Sequence, residues 1–119
     1  MMFPFELSEN LSHTWFIDLD GTILKHNGLW EDGYDTLLPG VKELWNSIPM
    51  DDTIVITTAR RAMYREQTEE FLKTNNISYD YILFGIAHGE RIVVNDIKPE
   101  RALKTAIAWN VERNLGFQK

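Results

Sequence analysis

Two aspartates separated by a single residue, Asp18 and Asp20, end a short apolar run. Two later apolar runs are also followed by polar pairs, which are Thr57 with Thr58 and Asn95 with Asp96. If these runs are adjacent parallel strands, the polar pairs meet at the carboxyl edge of the sheet, where open α/β sheets bind ligands. Three carboxylates that converge there repel one another unless a cation lies between them, and oxygen ligands suit Mg²⁺. The pattern therefore predicts a Mg²⁺ site formed by Asp18, Asp20 and Asp96.

Alternating strands and helices are expected to position these residues. Short apolar or β-branched runs predict four strands, at residues 15–17, 52–57, 81–84 and 92–94. Helical spacing and terminal signals predict three helices, at residues 39–48, 61–75 and 99–116. This order indicates an α/β fold with a mostly parallel sheet flanked by helices. Residues 23–38 show neither the helical nor the strand pattern of apolar residues and are predicted to form a flap.

The composition bounds the class of protein. The 119 residues, 44% hydrophobic and 25% charged, predict one globular domain over residues 1–119. Because the chain has no cysteine, disulfides, thiolate metal sites and a cysteine nucleophile are excluded. The net charge of −6 makes nucleic acid an unfavourable partner. No apolar run approaches the roughly 20 residues of a membrane span, so we expect a cytoplasmic protein with no membrane partner.

The residues around Asp18 resemble the first motif of the haloacid dehalogenase (HAD) superfamily, an apolar strand followed by Asp-x-Asp-Gly-Thr. Residues 16–22, Phe-Ile-Asp-Leu-Asp-Gly-Thr, match this motif in full. Residues 54–60 look like the second motif, a strand ending in Ser or Thr before a small residue and Arg, and residues 92–96 look like the acidic fourth motif. The resemblance spans residues 14–113. It implies a Rossmann-like HAD core and a Mg²⁺-dependent phosphatase that hydrolyses phosphoric monoesters.

The resemblance also implies a role for individual residues. Asp18 would attack phosphorus and form an aspartyl-phosphate, and Asp20 would be the general acid and base. Mg²⁺ would be held by the Asp18 carboxylate, the Asp20 backbone carbonyl and Asp96. Thr58 would hydrogen-bond the phosphate, with Thr57 as the alternative. The residues expected to contact the substrate are Thr57, Ala59, Arg60, His26 and Trp30.

The third motif of the family, a Lys or Arg that pairs with the phosphate, has no evident match. No lysine lies between Lys73 and Lys98. Lys98 is the favoured replacement as a catalytic cation, followed by Arg91, Arg60 and His88. Arg91 lies at the beginning of the strand predicted at residues 92–94 and is therefore expected at the opposite end of the sheet. The link at residues 85–90 is also short for a crossover between parallel strands, which usually needs about a dozen residues.

The short flap bears on the substrate. Fewer than twenty residues separate Thr22 from Pro39, which is too few for a cap domain, so the chain resembles the capless members of the family. A small phosphorylated metabolite, such as a sugar phosphate or nucleotide, is the expected substrate, and phosphoproteins stay open. Because no cap domain covers the site, a second subunit could cover it, so a homodimer is also a possible state.

Other interpretations remain. The chain could be a binding module that holds Mg²⁺ and a phosphorylated ligand without turnover, or a polynucleotide-end phosphatase, against which the acidic charge counts. A phospho-acceptor receiver domain would place its acceptor on a strand later in the chain. Thr58 and Asp96 could cap helices, and Asp18 and Asp20 could be turn carboxylates.

Overall fold

The computed structural model describes residues 1–117 and contains a three-stranded parallel sheet. Its strands are β1 (Thr14–Asp18), β2 (Thr53–Thr57) and β3 (Tyr81–Leu83), in the order β1-β2-β3. Thr57 is paired with Asp18 on one side and with Leu83 on the other, so the three strands end level with one another. The predictions of a parallel sheet and an α/β class are confirmed for this part of the chain.

Three helices accompany the sheet: α1 (Gly28–Glu31), α2 (Val41–Ser47) and α3 (Arg65–Thr74), the last preceded by a 3₁₀ turn at Ala62–Tyr64. The helices predicted at 39–48 and 61–75 are confirmed with slightly shorter bounds, and α1 lies inside the predicted flap. Fully buried apolar side chains from the loop after β1, from β2 and from helices α2 and α3 form the core, which includes Leu19, Ile23, Leu24, Leu44, Ile56 and Leu72. Within residues 1–117, no helix has the length and apolarity that crossing a bilayer requires.

The strand predicted at residues 92–94 is wrong. Residues 91–96 belong to no strand, and Ile92 and Val94 are 85% and 88% exposed. The residues that follow form a two-stranded antiparallel hairpin of β4 (Ile97–Lys98) and β5 (Leu103–Lys104). The physical reason is the short link after β3, residues 84–91, which is too short to carry the chain back across the sheet to a new parallel position.

The helix predicted at residues 99–116 is wrong as well. Residues 99–102 form the turn of the β4–β5 hairpin, in which the Arg101 backbone N–H donates to the Lys98 carbonyl at 3.2 Å. Ala102 has φ +50°, a left-handed conformation that ends any right-handed helix at this residue. Because that helix and the fourth parallel strand do not form within residues 1–117, the predicted Rossmann-like HAD core is not confirmed.

The C-terminal residues hold both ends of the flap. The Asn114 backbone N–H donates to the Gly21 carbonyl at 2.9 Å, and the Phe117 backbone N–H donates to the Pro39 carbonyl at 2.8 Å. A Cβ at Gly40, whose φ is +77°, would lie 2.0 Å from the Phe117 carbonyl oxygen, so this approach requires glycine. The flap is therefore fixed at its base on both sides.

At the opposite end of the sheet, Asp52 is a buried and fully paired carboxylate. It accepts hydrogen bonds from the His13 backbone N–H and the Trp15 Nε1–H, both at 2.9 Å. The His13 ring Nδ1 lies 2.9 Å from Asp52 Oδ2, and its Nε2 lies 3.0 Å from the Ser8 carbonyl oxygen. Burial alone would raise the pKa of Asp52, but these donors outweigh it and hold that pKa below its usual value. Asp52 thus joins the N-terminal residues to the sheet.

Candidate functional site

The ends of β1 and β2 bring two of the three predicted acids, Asp18 and Asp20, close to the hydroxyl-bearing residues Thr57 and Thr58. Asp18 is the last residue of β1, and beyond it the Leu19 backbone N–H donates to the Thr57 carbonyl at 3.0 Å. On the other side, the Thr58 backbone N–H donates to the Leu83 carbonyl at 2.9 Å. The chain then leaves each strand in a loop, so the side chains after β1 and β2 face the same edge of the sheet.

The Asp18 carboxylate is half-exposed and only lightly paired. Its Oδ2 accepts a hydrogen bond from the Thr22 hydroxyl at 3.3 Å, and its Oδ1 lies 3.5 Å from Arg91 Nη2. Partial burial is the largest influence and raises the pKa of Asp18; Asp20 adds to the rise, and Arg91 and Thr22 oppose it. Asp18 is thus a carboxylate whose ionised form is not fully stabilised by the protein, as is common for groups that act on a ligand.

The Asp20 carboxylate, in contrast, is held in one orientation. Its Oδ2 accepts a hydrogen bond from the Thr58 hydroxyl at 2.8 Å, and its Oδ1 accepts one from Arg60 Nε at 3.0 Å. The Thr58 oxygen in turn accepts from the Arg60 backbone N–H at 3.0 Å, and Thr58 is fully buried. Thr58, the predicted phosphate ligand, and Arg60, a predicted substrate contact, therefore both contact Asp20 directly.

Arg60 also binds a second carboxylate, Asp35 of the flap. Its Nη1 and Nη2 donate to the two oxygens of Asp35 at 3.0 and 2.7 Å, which is a bidentate pair, and Nη1 donates to the Thr68 hydroxyl of α3 at 3.0 Å. The side chains of Arg60 and Asp35 are 2% and 3% exposed. Burial would lower the pKa of Arg60, but Asp35 and Asp20 outweigh it and raise that pKa. The guanidinium expected to contact substrate is thus occupied by protein groups.

The cation nearest to Asp18 is Arg91, and the expectation that Arg91 lies at the opposite end of the sheet is wrong. That expectation depended on Arg91 lying at the beginning of the strand predicted at residues 92–94, which does not form. Lys98, the favoured replacement for the third-motif cation, lies in β4, where it is paired with Leu103 of the hairpin. Within residues 1–117 the structure forms no ion pair with Lys98 or with His88.

The structure does not bring Asp96 to the other two predicted metal ligands. Asp96 is exposed before the hairpin, and its carbonyl accepts a hydrogen bond from the Thr105 hydroxyl at 2.7 Å. Among residues 1–117 no three acidic or histidine side chains form a group suited to a metal ion. Asp18 by itself fits Mg²⁺ in part. Partial burial and the neighbouring Asp20 disfavour the ionised form of its carboxylate, so a nearby cation would stabilise that form. Mg²⁺ usually takes one or two carboxylates from the protein and its other ligands from phosphate and water.

The remaining predicted contacts lie in the flap, in β2 and in the loop after β2. Trp30, on α1, is 54% exposed; its ring lies 5.7 Å from the Arg60 guanidinium carbon and edge-on to Tyr64 at 5.4 Å between centroids. The His26 backbone N–H donates to the Asn114 side chain at 2.7 Å. Thr57 is buried in β2, and Ala59 follows Thr58 in the loop.

Sequence reasoning missed two residues of this network, Asp35 and Thr68. Thr68 carried a usable signal: it is a polar residue on the apolar stripe of the predicted helix, and a buried hydroxyl must find a partner. Asp35 carried none, because an acid in an aperiodic flap is normally solvated. Arg91 was considered only as a secondary candidate because its predicted strand placed it elsewhere.

A surface depression lies away from the acid pair, on α3 and the residues that follow it. Its lining includes Glu66, Glu69, Glu70 and Lys73. Three carboxylates against one ammonium make it unfavourable for a phosphorylated ligand.

Comparisons with known proteins add no assignment: no family model, no curated protein and no solved structure matches this chain.

Proposed function

We propose that the chain is a phosphatase that hydrolyses phosphomonoesters through Asp18, with Asp20 as general acid and base. The observation that supports this most directly is the contrast within the acid pair. Asp18 is half-exposed and incompletely paired, whereas Asp20 is oriented by Thr58 and Arg60. A nucleophile must be accessible to phosphorus, and a proton donor must be held in place, so the two environments suit the two roles.

In this mechanism an oxygen of Asp18 forms a bond to phosphorus while the ester P–O bond breaks. The departing alkoxide takes a proton from Asp20. A water molecule then attacks the aspartyl-phosphate, gives its proton to Asp20 and releases inorganic phosphate, which regenerates Asp18. Mg²⁺ bound at Asp18 and the Asp20 carbonyl would neutralise charge on the phosphate oxygens.

Arg91 is the cation that we propose for the phosphate, because its guanidinium already lies 3.5 Å from Asp18. Substitution Arg91→Met is expected to raise KM by about tenfold, a typical effect of losing one charged hydrogen bond, with a smaller effect on kcat. Lys98→Met is the matched control and should leave both constants unchanged. The reverse result, a KM effect confined to Lys98→Met, would return this role to Lys98.

The test of the activity is turnover of p-nitrophenyl phosphate with and without Mg²⁺, in wild type, Asp18→Asn and Asp51→Asn. Asp51 is an exposed acid before β2 and serves as the matched control. Asp18→Asn should lower kcat by about 10³-fold or more while the protein stays folded, because the amide cannot form the intermediate. Equal turnover by the Asp18→Asn and Asp51→Asn variants would contradict the proposal.

A second candidate function, a binding module for phosphorylated ligands, is favoured by one observation. Asp96 does not join the acid pair, so the described residues supply fewer metal ligands than the phosphatase interpretation predicts. The two candidates separate in a thermal-shift measurement. A rise in Tm with Mg²⁺ and a phosphomonoester, without release of phosphate, would favour the binding module.

A further inference from the structure

The buried pair of Arg60 and Asp35 connects the flap to the candidate general acid. We propose that Asp35 is a positioning residue: by holding the Arg60 guanidinium, it fixes the Asp20 carboxylate in the orientation needed to protonate a leaving group. This inference rests on the proposed function, because it concerns the same site, and it assigns a role to a flap residue that makes no contact with Asp20 itself.

The geometry of the guanidinium carries the inference. Arg60 has five N–H bonds, and the structure provides contacts for all of them: Nε and Nη2 face Asp20 at 3.0 and 2.9 Å, both terminal nitrogens donate to Asp35, and Nη1 also donates to Thr68. Because the fork is planar and rigid, fixing one side with Asp35 determines where the other side lies. Asp20 therefore meets a donor pair that has only one orientation.

Burial makes this arrangement sensitive to Asp35. The Arg60 side chain is 2% exposed, so water cannot readily replace an acceptor that is lost. In Asp35→Asn one carboxylate oxygen becomes an amide NH2, so one N–H bond of Arg60 loses its acceptor and meets a donor instead, and Arg60 is expected to rotate toward Asp20 or Thr68. Either rotation changes the orientation of Asp20. Trp30, whose ring lies 5.7 Å from the guanidinium carbon, offers no hydrogen-bond acceptor of comparable strength.

The rival explanation is that the pair only holds the flap in place. A purely structural role changes the amount of folded protein, and thus affects all substrates alike. A positioning role affects substrates according to their leaving group. An alkyl phosphate needs its alkoxide protonated, whereas p-nitrophenolate departs without help.

The experiment compares kcat/KM, which reports phosphoryl transfer to Asp18, for ethyl phosphate and p-nitrophenyl phosphate in wild type and Asp35→Asn. We expect a loss of about 10²-fold on ethyl phosphate and less than about threefold on p-nitrophenyl phosphate. Inhibition by inorganic phosphate should stay unchanged. Asp32→Asn is the matched control, since Asp32 is a flap acid whose partner is Lys25 on the surface, at 2.8 Å; it should lose nothing on either substrate.

The outcomes are distinct. An equal loss on both substrates, or no loss on either, overturns the positioning role while the proposed function stands, provided that Asp18→Asn is inactive. Absence of turnover by the wild type overturns both. If Asp35→Asn does not fold, Thr68→Val removes one acceptor of the same fork, and it should show the same substrate dependence at smaller size; a uniform effect there would also overturn the inference.

Discussion

Each end of the parallel sheet carries an aspartate, buried Asp52 at one end and half-exposed Asp18 at the other, and the two carboxylates have opposite surroundings. Asp52 receives donors from a backbone N–H, an indole and an imidazole, and its pKa is lowered. Asp18 receives one hydroxyl and a more distant guanidinium, and its pKa is raised. The hydrogen bonds of Asp52 stabilise the fold, whereas the incompletely paired Asp18 carboxylate is available to a ligand.

Removing the charge at the paired end should have the largest effect on stability. Asp52→Asn replaces an acceptor oxygen with an amide that cannot accept from all three donors, so at least one buried donor loses its partner. We expect a loss of about 2–3 kcal/mol in the free energy of unfolding, measured by urea denaturation at pH 7. A loss below about 0.5 kcal/mol would show that the two ends do not differ as described.

The pH dependence of stability should sharpen the same comparison. The lowered pKa of Asp52 means that the folded state favours its ionised form, so this contribution is present above the unfolded value, near 4, and is lost as the pH falls through the folded pKa. Unfolding measured between about pH 5 and 2 should therefore show a weaker dependence in Asp52→Asn than in wild type. Identical slopes in the two proteins would contradict this assignment.

The smallest effect is expected at the available end, and with the opposite sign. Because the pKa of Asp18 is raised, the folded state disfavours ionised Asp18. The free energy of unfolding therefore falls as the pH rises from about 4, the unfolded pKa, through the pKa of Asp18 in the folded protein. Asp18→Asn should therefore raise Tm slightly at pH 7 while it removes activity. A clear drop in Tm would show that Asp18 supports the fold rather than a reaction.

The sequence patterns correctly predicted those strands and helices in which the local spacing of apolar residues matches their burial. The β-branched run of β2, the apolar run before Asp18 and the helical stripe with Leu72 each specify their element from a few adjacent residues, and the acid–hydroxyl neighbourhood of Asp20 and Thr58 follows from the ends of those strands. These features depend on short-range periodicity and on the geometry of parallel strands.

The patterns were wrong where a tertiary partner decides the outcome. Residues 92–94 are as β-branched as β2, but a strand needs a neighbour to pair with, and the short link after β3 does not deliver them to one. The flap acid Asp35 was invisible for a related reason: its importance comes from Arg60, which is 25 residues away in the chain. Burial of that pair is a property of the folded chain and not of either local sequence.

The five contacts of Arg60 have a consequence for sequence variation. A lysine has a single nitrogen with three N–H bonds and cannot make the five contacts that the three nitrogens of Arg60 make with Asp20, Asp35 and Thr68, so exchange of arginine for lysine at position 60 is not conservative here. Homologous chains should therefore keep an acid at position 35 wherever they keep an arginine at 60, and should change the two positions together. An aligned set in which these positions vary independently would indicate that evolution does not select for this link.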